Sequence, residues 1–267
     1  MPMITADFHT HTAASFDSDA AIDDMCDAAL RAGLTALAVT DHVEMVAYFE
    51  DGMDKTVPAS WEAASDAAAR YAGRLRVARG IELGEPLYDP ARAETLLAAR
   101  NYDFVLASIH RLREQEDYYF WDFAETDIGA AMDAYFDEVL ATVRWGRFHS
   151  LAHLTYPFRY MPAARRPQTY TRWMPVIDEI LRELAARGLA LELNTSGLRG
   201  AIGLTQPDLP LLRRFRELGG RYVTVGSDAH APQDVGAGRA EAERLLRDVG
   251  FHAVTVFFGG QPTEWAL

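Results

Sequence analysis

Short apolar runs, polar clusters and Ala/Leu/Arg-rich stretches of helical spacing alternate along the whole chain. Ile4–Phe8 reads as a strand, and the Ala/Leu spacing over Ile22–Ala32, closed by Gly33, predicts a capped helix. Leu37–Val39 predicts a second strand, followed by a helix near Trp61–Leu75 with Ser60 as its N-cap. Val77–Leu83 follows as a strand, and Asp89-Pro90 supplies an N-cap and a first-turn proline for a helix to Arg100. The same alternation gives strands at Phe104–Ile109, Ser150–Leu154, Leu189–Leu193, Tyr222–Gly226 and, last, Ala253–Phe258. Between them lie helical stretches at Ile128–Arg144, Tyr170–Arg187, Leu209–Leu218 and Ala240–Val249. Strands alternating with helices predict βα units and a parallel sheet. About seven such units in one domain spanning residues 1–267 favour a closed or nearly closed barrel over an open doubly wound sheet. The connections Leu112–Asp127 and Tyr156–Thr169 are long for βα loops, and long loops in compact domains often serve as lids.

Residues able to bind metal recur where these strands end. His9-Thr10-His11 ends the first strand, Asp41-His42 the second and Glu82 the third. His110, His153 and Asn194 end the next three, and Asp228-Ala229-His230 the seventh. In a parallel barrel all these ends meet on one face, where active sites lie. His9 and His11, two apart on a strand, share a face as joint coordination of one ion needs. Any one of these histidines alone fits a structural role; six at strand ends do not fit packing, and the set predicts a metal site. Imidazoles and carboxylates without thiolates suit zinc, manganese or iron. Nine candidate donors imply two or three ions, with a carboxylate such as Glu82 able to bridge a pair. Bridging ions lower the pKa of a shared water and so provide a hydroxide nucleophile near neutral pH.

Charge and composition narrow the partners. Thirty-nine acidic against 26 basic side chains give a formal net charge of -13, which argues against a duplex nucleic-acid binder. An anionic small substrate remains compatible, because bound cations reverse the sign of a pocket locally. Cys26 is the single cysteine, which excludes an intrachain disulfide framework and any CxxC motif. No apolar run reaches about 18 residues, and the start MPMITADFHTH lacks the pattern of a signal peptide. The expectation is a soluble cytoplasmic protein, with its oligomeric state open.

The segments DFHTHT, TDH, GIELGE, SIH, AHLTYP, LELNTSGLR and VGSDAH, in this order, resemble the PHP (polymerase and histidinol phosphatase) family. The likeness extends from Asp7 to about Phe258, and NTSGLR with GSDAH resembles the histidinol-phosphate phosphatase branch. That resemblance implies a distorted (β/α)7 TIM-like barrel with a trinuclear centre at the C-terminal ends of the strands. It assigns His9, His11, Glu82 and Asp228 to one ion, and His110 and His153 to a second bridged by Glu82. The third ion takes His42, His230 and the residue eight positions after the first histidine, which is Asp17 here where many members have histidine. Asp17 or Asp19 has an alternative role as cap of the first helix. Glu85, three residues after Glu82, falls on the opposite strand face and so in a loop or behind the ligands. His149 competes with His153, and the family pattern favours His153; His252 matches nothing and reads as structural. Asp7 and Asp41 precede ligands and are placed to orient imidazoles.

Within the resemblance, Arg159 and Arg199 lie where a clamp on phosphate oxygens is needed, and Asn194 and Ser196 where phosphate or its loop is hydrogen-bonded. Glu82, Asp228 and His230 are the catalytic candidates. The expected activity is metal-dependent hydrolysis of a phosphomonoester, L-histidinol phosphate to L-histidinol and phosphate, as a step of histidine biosynthesis. The acidic, aromatic loop 112–127 suits the cationic end of such a substrate, and equally suits an ordinary packed lid. The alternative within the family is a phosphodiesterase or nucleotidase acting on nucleotides or oligonucleotides. An amidohydrolase would need a lysine at a later strand end, whereas Lys55 is the single lysine. A binding module without catalysis would be expected to have lost some of the donors.

Overall fold

The computed structural model describes residues 4–267. Seven parallel strands follow one another around a sheet in the order β1 (Ala6–Thr10), β2 (Ala36–Val39), β4 (Arg76–Gly84), β5 (Phe104–Ser108), β6 (Ser150–Leu151), β7 (Ala190–Asn194) and β8 (Val223–Gly226). The short strand β3 (His42–Glu44) also pairs with β4, continuing the line of β2 after a break at Thr40-Asp41. Asp228 N donates to His9 O at 2.8 Å and His11 N to Ala229 O at 2.9 Å, bringing β8 back to β1 and nearly closing the barrel.

Helices α1 (Ile22–Arg31), α2 (Met53–Arg70), α3 (Pro90–Ala99), α4 (Ile128–Trp145), α5 (Met174–Arg187), α6 (Leu209–Glu217) and α7 (Arg239–Asp248) alternate with the strands. With helices outside and side chains inside, strand residues are covered on both faces, so β1, β5 and β7 are buried along their whole length. The barrel interior is narrow and is filled by small residues, Ala6, Ala36, Ala38, Ala78, Ala152 and Ala190, around Phe8 and Phe104. Phe8 and Phe104 meet edge to face at 5.3 Å, an arrangement aromatic quadrupoles favour. The Asp89-Pro90 start is as the sequence predicts, with Asp89 accepting from Arg92 N at 3.0 Å.

Three expectations are corrected. Ala253–Phe258 (β9) does not join the barrel; it pairs antiparallel with β10 (Gln261–Ala266) in a hairpin. Phe257 of that hairpin stacks on Phe104 at 5.3 Å and on His149 at 5.1 Å, so the hairpin plugs the N-terminal end of the barrel. Ser60 does not cap a helix: α2 starts at Met53, tolerates Pro58 in its second turn, and buries Ser60 so that its hydroxyl donates to Asp41 at 2.5 Å. Asp17 and Asp19 do not cap α1, whose N-cap position is Ala21 without a side-chain bond.

Candidate metal centre

At the C-terminal end of the barrel, the strands deliver their polar residues to one buried point. Glu82, near the end of β4, is fully buried at the middle of it. One of its carboxylate oxygens lies 2.9 Å from His153 Nε2 and 3.2 Å from His110 Nε2. The other lies 3.1 Å from His9 Nε2, 3.2 Å from His42 Nδ1 and 3.5 Å from His11 Nε2. Asp228 Oδ1 stands 3.6–3.7 Å from the imidazoles of His9, His11 and His230. Asp17 Oδ2 completes the outer side, 3.0 Å from His230 Nε2 and 3.5 Å from His42 Nε2. All nine metal candidates named from the sequence therefore come together, although they span residues 9 to 230.

The donors fall into compact groups able to hold an ion: His9, His11 and Asp228; His9, Glu82 and His153; His11, His42 and His230; and His42, Glu44 and His110. Several buried donor atoms, among them His11 Nε2, His42 Nδ1 and His230 Nε2, face carboxylates at 3.0–3.5 Å without forming a regular hydrogen bond. An unpaired buried donor or acceptor costs about 1–3 kcal/mol, so such a cluster needs something more than its own residues. Nitrogen and oxygen donors without sulfur suit zinc, manganese or iron(II). The residues present fit bound divalent cations.

The local electrostatics carry the same requirement. Burial opposes a charge on His9, yet Glu192, Glu82 and Asp228 beside it raise its pKa well above the usual imidazole value. His42 is likewise disfavoured by burial but raised to about 10 by Glu82, Asp17 and Glu44. Burial would raise Glu82 and Asp228, but neighbouring imidazoles, led by His9, hold both well below the carboxylate range; Arg159 also acts on Asp228. His11 goes the other way, to about 3, through burial and the adjacent His230 and His42. The carboxylates thus demand positive charge that the imidazoles supply only by holding extra protons.

Neighbouring loops are pinned by buried carboxylates in a way the sequence did not indicate. Asp41 does not orient an imidazole directly. It accepts from Thr12 N at 2.6 Å and from the hydroxyls of Thr12, Ser15 and Ser60, fixing the loop that carries Asp17. Ser15 Oγ in turn lies 3.1 Å from His11 Nδ1, so the effect on the ligand passes through the serine. Asp7 also touches no imidazole; it accepts from Ser227 N at 2.9 Å and Gly236 N at 2.8 Å and so anchors the Asp228 loop. In that loop Asp228 takes a left-handed backbone conformation, φ 54°, uncommon outside glycine.

Arg159 reaches the centre: its NH2 donates to Asp228 Oδ2 at 3.0 Å and Ser196 Oγ at 2.6 Å, and its Nε to Gln206 at 2.8 Å. Asn194 Nδ2 donates to Asp228 Oδ2 at 3.3 Å, and Asn194 Oδ1 accepts from Ser196 Oγ at 2.6 Å. Arg199 lies against the backbone of the same loop, donating to the carbonyls of Ser227 at 2.8 Å and Asp228 at 3.3 Å. His149 is at the far end of the barrel under the hairpin, accepting from Val105 N at 2.8 Å. His252 is exposed and away from the cluster.

Two buried glutamates escaped the sequence reading. Glu44 hydrogen-bonds His110 Nδ1 at 3.0 Å, and Glu192 hydrogen-bonds His9 Nδ1 at 2.7 Å. Each sits two residues from a candidate already named, His42 and Asn194, and therefore on the same strand face. Glu85 lies in a loop behind the ligands, as expected, though for a different reason. It lies just past β4 with φ 44°, so strand parity does not apply, and its carboxylate is buried, accepting from His110 N at 2.6 Å and Arg111 N at 3.2 Å. Burial and the neighbouring Glu44 raise its pKa well above the carboxylate range.

Above the cluster opens a cavity of about 470 Å³, lined by Phe16, Asp17, His42, His110, Asp117, Tyr119, Phe120, Tyr156, Tyr160 and His230. Loop 112–127 contributes one wall. Tyr118 is buried as its anchor, while Tyr119 and Phe120 stay 64% and 67% exposed on the cavity side. Asp117 accepts from Tyr156 OH at 3.0 Å.

A family model described as PHP domain matches residues 7–196. The chain belongs to the PHP family. Among PHP-family relatives, a probable histidinol-phosphatase of Thermotoga maritima is 30% identical over 94% of this chain and 94% of its own length. The histidinol-phosphatase of Lactococcus lactis is 28% identical over 95% of this chain and 94% of its own. A crystal structure of the Lactococcus lactis histidinol phosphate phosphatase, complexed with zinc, L-histidinol and phosphate, superimposes with a TM-score of 0.85. At 23% identity over 98% of this chain and 100% of that one, the match shows a shared PHP fold, a TIM-like, nearly closed barrel.

Proposed function

We propose that this protein hydrolyses L-histidinol phosphate to L-histidinol and phosphate. The chain is a phosphatase: relatives matching it over nearly its full length are named histidinol-phosphatase or probable histidinol-phosphatase, and its candidate donors lie together in groups able to hold ions. The observation that carries the substrate reading is the cavity above the cluster. Its volume of about 470 Å³ suits a small metabolite, and its walls are aromatic with one carboxylate facing in from loop 112–127, Asp117. No lysine or arginine lines it, which fits a leaving group that is flat and cationic and does not fit a polyanionic strand.

In this reading Glu82 would be shared between two ion sites, with His9, His11 and Asp228 and then His110 and His153 holding those ions, and Asp17, His42 and His230 would hold a third. Divalent cations held there would neutralise phosphoryl oxygens and lower the pKa of a bound water towards neutrality. The chain's own groups do the positioning. Arg159, buried beside Asp228, offers its guanidinium to the non-bridging oxygens, with Ser196 and Asn194 adjoining it. Arg199 adds positive charge from the carbonyl side of the Asp228 loop. Tyr156 and Tyr160, whose hydroxyls lie 3.1 Å apart, and Asp117 receive the imidazole and amine end.

The test is phosphate release from L-histidinol phosphate by the zinc- or manganese-loaded protein, beside a nucleotide monophosphate and a generic diester. A kcat/KM of about 10⁴ M⁻¹s⁻¹ or more for histidinol phosphate, well above the others, is expected. Cleavage of the nucleotide or diester with histidinol phosphate ignored overturns the substrate and leaves the alternative, a PHP-family nucleotidase or phosphodiesterase.

A further inference from the structure

We propose that Glu44 and Glu192 are positioning residues that tie the three ligand sets together, each bracing ligands of two different ions. This rests on the metal-centre reading above. Glu44 Oε1 lies 3.0 Å from His110 Nδ1 and 3.2 Å from His42 Nδ1, so one oxygen faces two imidazoles. Their other nitrogens point away from it: His110 Nε2 towards Glu82 and His153, His42 Nε2 towards Asp17. Glu44 therefore selects the Nδ1–H form of His110 by a hydrogen bond and, together with Glu82 Oε2 at 3.2 Å, faces His42 Nδ1, so that the two Nε2 atoms are directed elsewhere, one to the second set of donors and one to the third. A cation held by Glu44 itself would have to displace the Nδ1 protons of these rings, which distinguishes that arrangement from the one proposed.

Glu192 does the same between the first and second ions. Its Oε1 lies 2.7 Å from His9 Nδ1, with His9 Nε2 directed at Glu82, and its Oε2 accepts from the backbone N of His153 at 2.8 Å. One end fixes a ring, the other the chain that carries the next ring. Carboxylates in this position orient a ligand histidine and increase its basicity, and losing them costs typically 10–100-fold in metal affinity.

The strands are built to admit both side chains. Glu44 pairs in register with Gly84 of β4, and a Cβ at Gly84 would collide with the Glu44 carboxylate. A Cβ at Gly226 of β8 would collide with both the Glu192 carboxylate and His9. Each glutamate is only 1% exposed and fills the space a glycine on a nearby strand leaves open.

The test is zinc binding followed by chelator competition, with ¹⁵N-histidine NMR of the zinc-loaded full chain reporting which ring nitrogen binds. In the unmutated protein His9, His42 and His110 are expected to bind through Nε2 and keep a proton on Nδ1. Glu44→Gln should weaken two ions 10–100-fold, with His42 and His110 losing the bound signature and His9 keeping it. Glu192→Gln should weaken the His9 and His153 sites and spare His42. Gly84→Ala, which displaces the Glu44 carboxylate without changing its charge, should reproduce the first pattern. Binding of His42 or His110 through Nδ1 in the unmutated protein overturns the proposal even if no variant folds. So does an unchanged affinity in Glu44→Gln. A parent protein that binds no zinc contradicts the metal-centre reading instead.

Discussion

The two ends of this barrel hold the same kind of residue in opposite states. At the C-terminal end His9 and His42 are buried, yet surrounding carboxylates raise both above the ordinary imidazole pKa. At the N-terminal end His149 is also largely buried, but burial acts alone and lowers it to about 4. The cleft beside it, lined by Leu97, Arg100, Asn101, Tyr102, Val105, Gly146, Arg147, Phe148 and His149, contains no carboxylate. Burial therefore does not by itself decide what a histidine does here; the balance of carboxylates and imidazoles facing it does, as His11, lowered to about 3 beside His230 and His42, also shows. One end is arranged to attract cations, the other to be filled by the hairpin and stay neutral.

Substitutions at the two ends should separate them sharply. The largest effect is expected at Glu82→Gln, which removes the carboxylate shared by five imidazoles. Its kcat/KM should fall roughly 10³-fold or more, and added zinc should not restore it. A loss below tenfold would show that Glu82 is not central.

Arg159→Ala should lower kcat/KM by about 10²-fold, the scale of losing one donor to developing charge. The loss should appear with any phosphomonoester, and an effect confined to histidinol phosphate would place Arg159 on the leaving group instead. Asp117→Asn should do the reverse, lowering kcat/KM about tenfold for histidinol phosphate and little for an aryl phosphate whose leaving group is uncharged. Equal losses for both would remove Asp117 from substrate choice.

The smallest effect on catalysis belongs to the N-terminal end, where kcat should not change and the effect is one of stability. Because folding lowers the His149 pKa from 6.5 to about 4, the unfolded chain takes up the proton first as pH falls. This group's contribution is intact above pH 6.5 and is lost between pH 6.5 and about 4, to the extent of about 3 kcal/mol. His149→Asn, whose Oδ1 can accept from Val105 N in place of Nδ1, should flatten urea-unfolding stability over that window without changing kcat. An unaltered slope would show that His149 is not the titrating group.

The same contrast explains what could be read from the chain. The βα alternation and the donors at strand ends were legible because each is local: an apolar run and the polar residue that ends it. Their convergence then follows from the rule that parallel strands share one C-terminal face. The β9–β10 hairpin was not legible, since a strand after a helix looks the same whether it enters the barrel or turns back beneath it. Ser60 was misplaced because its hydroxyl answers to Asp41, a partner 19 residues away, and not to its own helix. Glu44 and Glu192 were missed although a signal existed. Each is a carboxylate two residues from a named donor within a buried strand, where only a partnered charge is tolerated. Glu85 was placed correctly in a loop behind the ligands, but parity is not the reason: it ends with the strand, and the backbone turns left-handed one residue beyond.

The account stands on a cluster of ions around Glu82, and anomalous diffraction from crystals grown with zinc would test it most directly. Two or three strong peaks are predicted, with Glu82 between a pair and one peak near Asp17, His42 and His230. A map with no peak among these residues would contradict it.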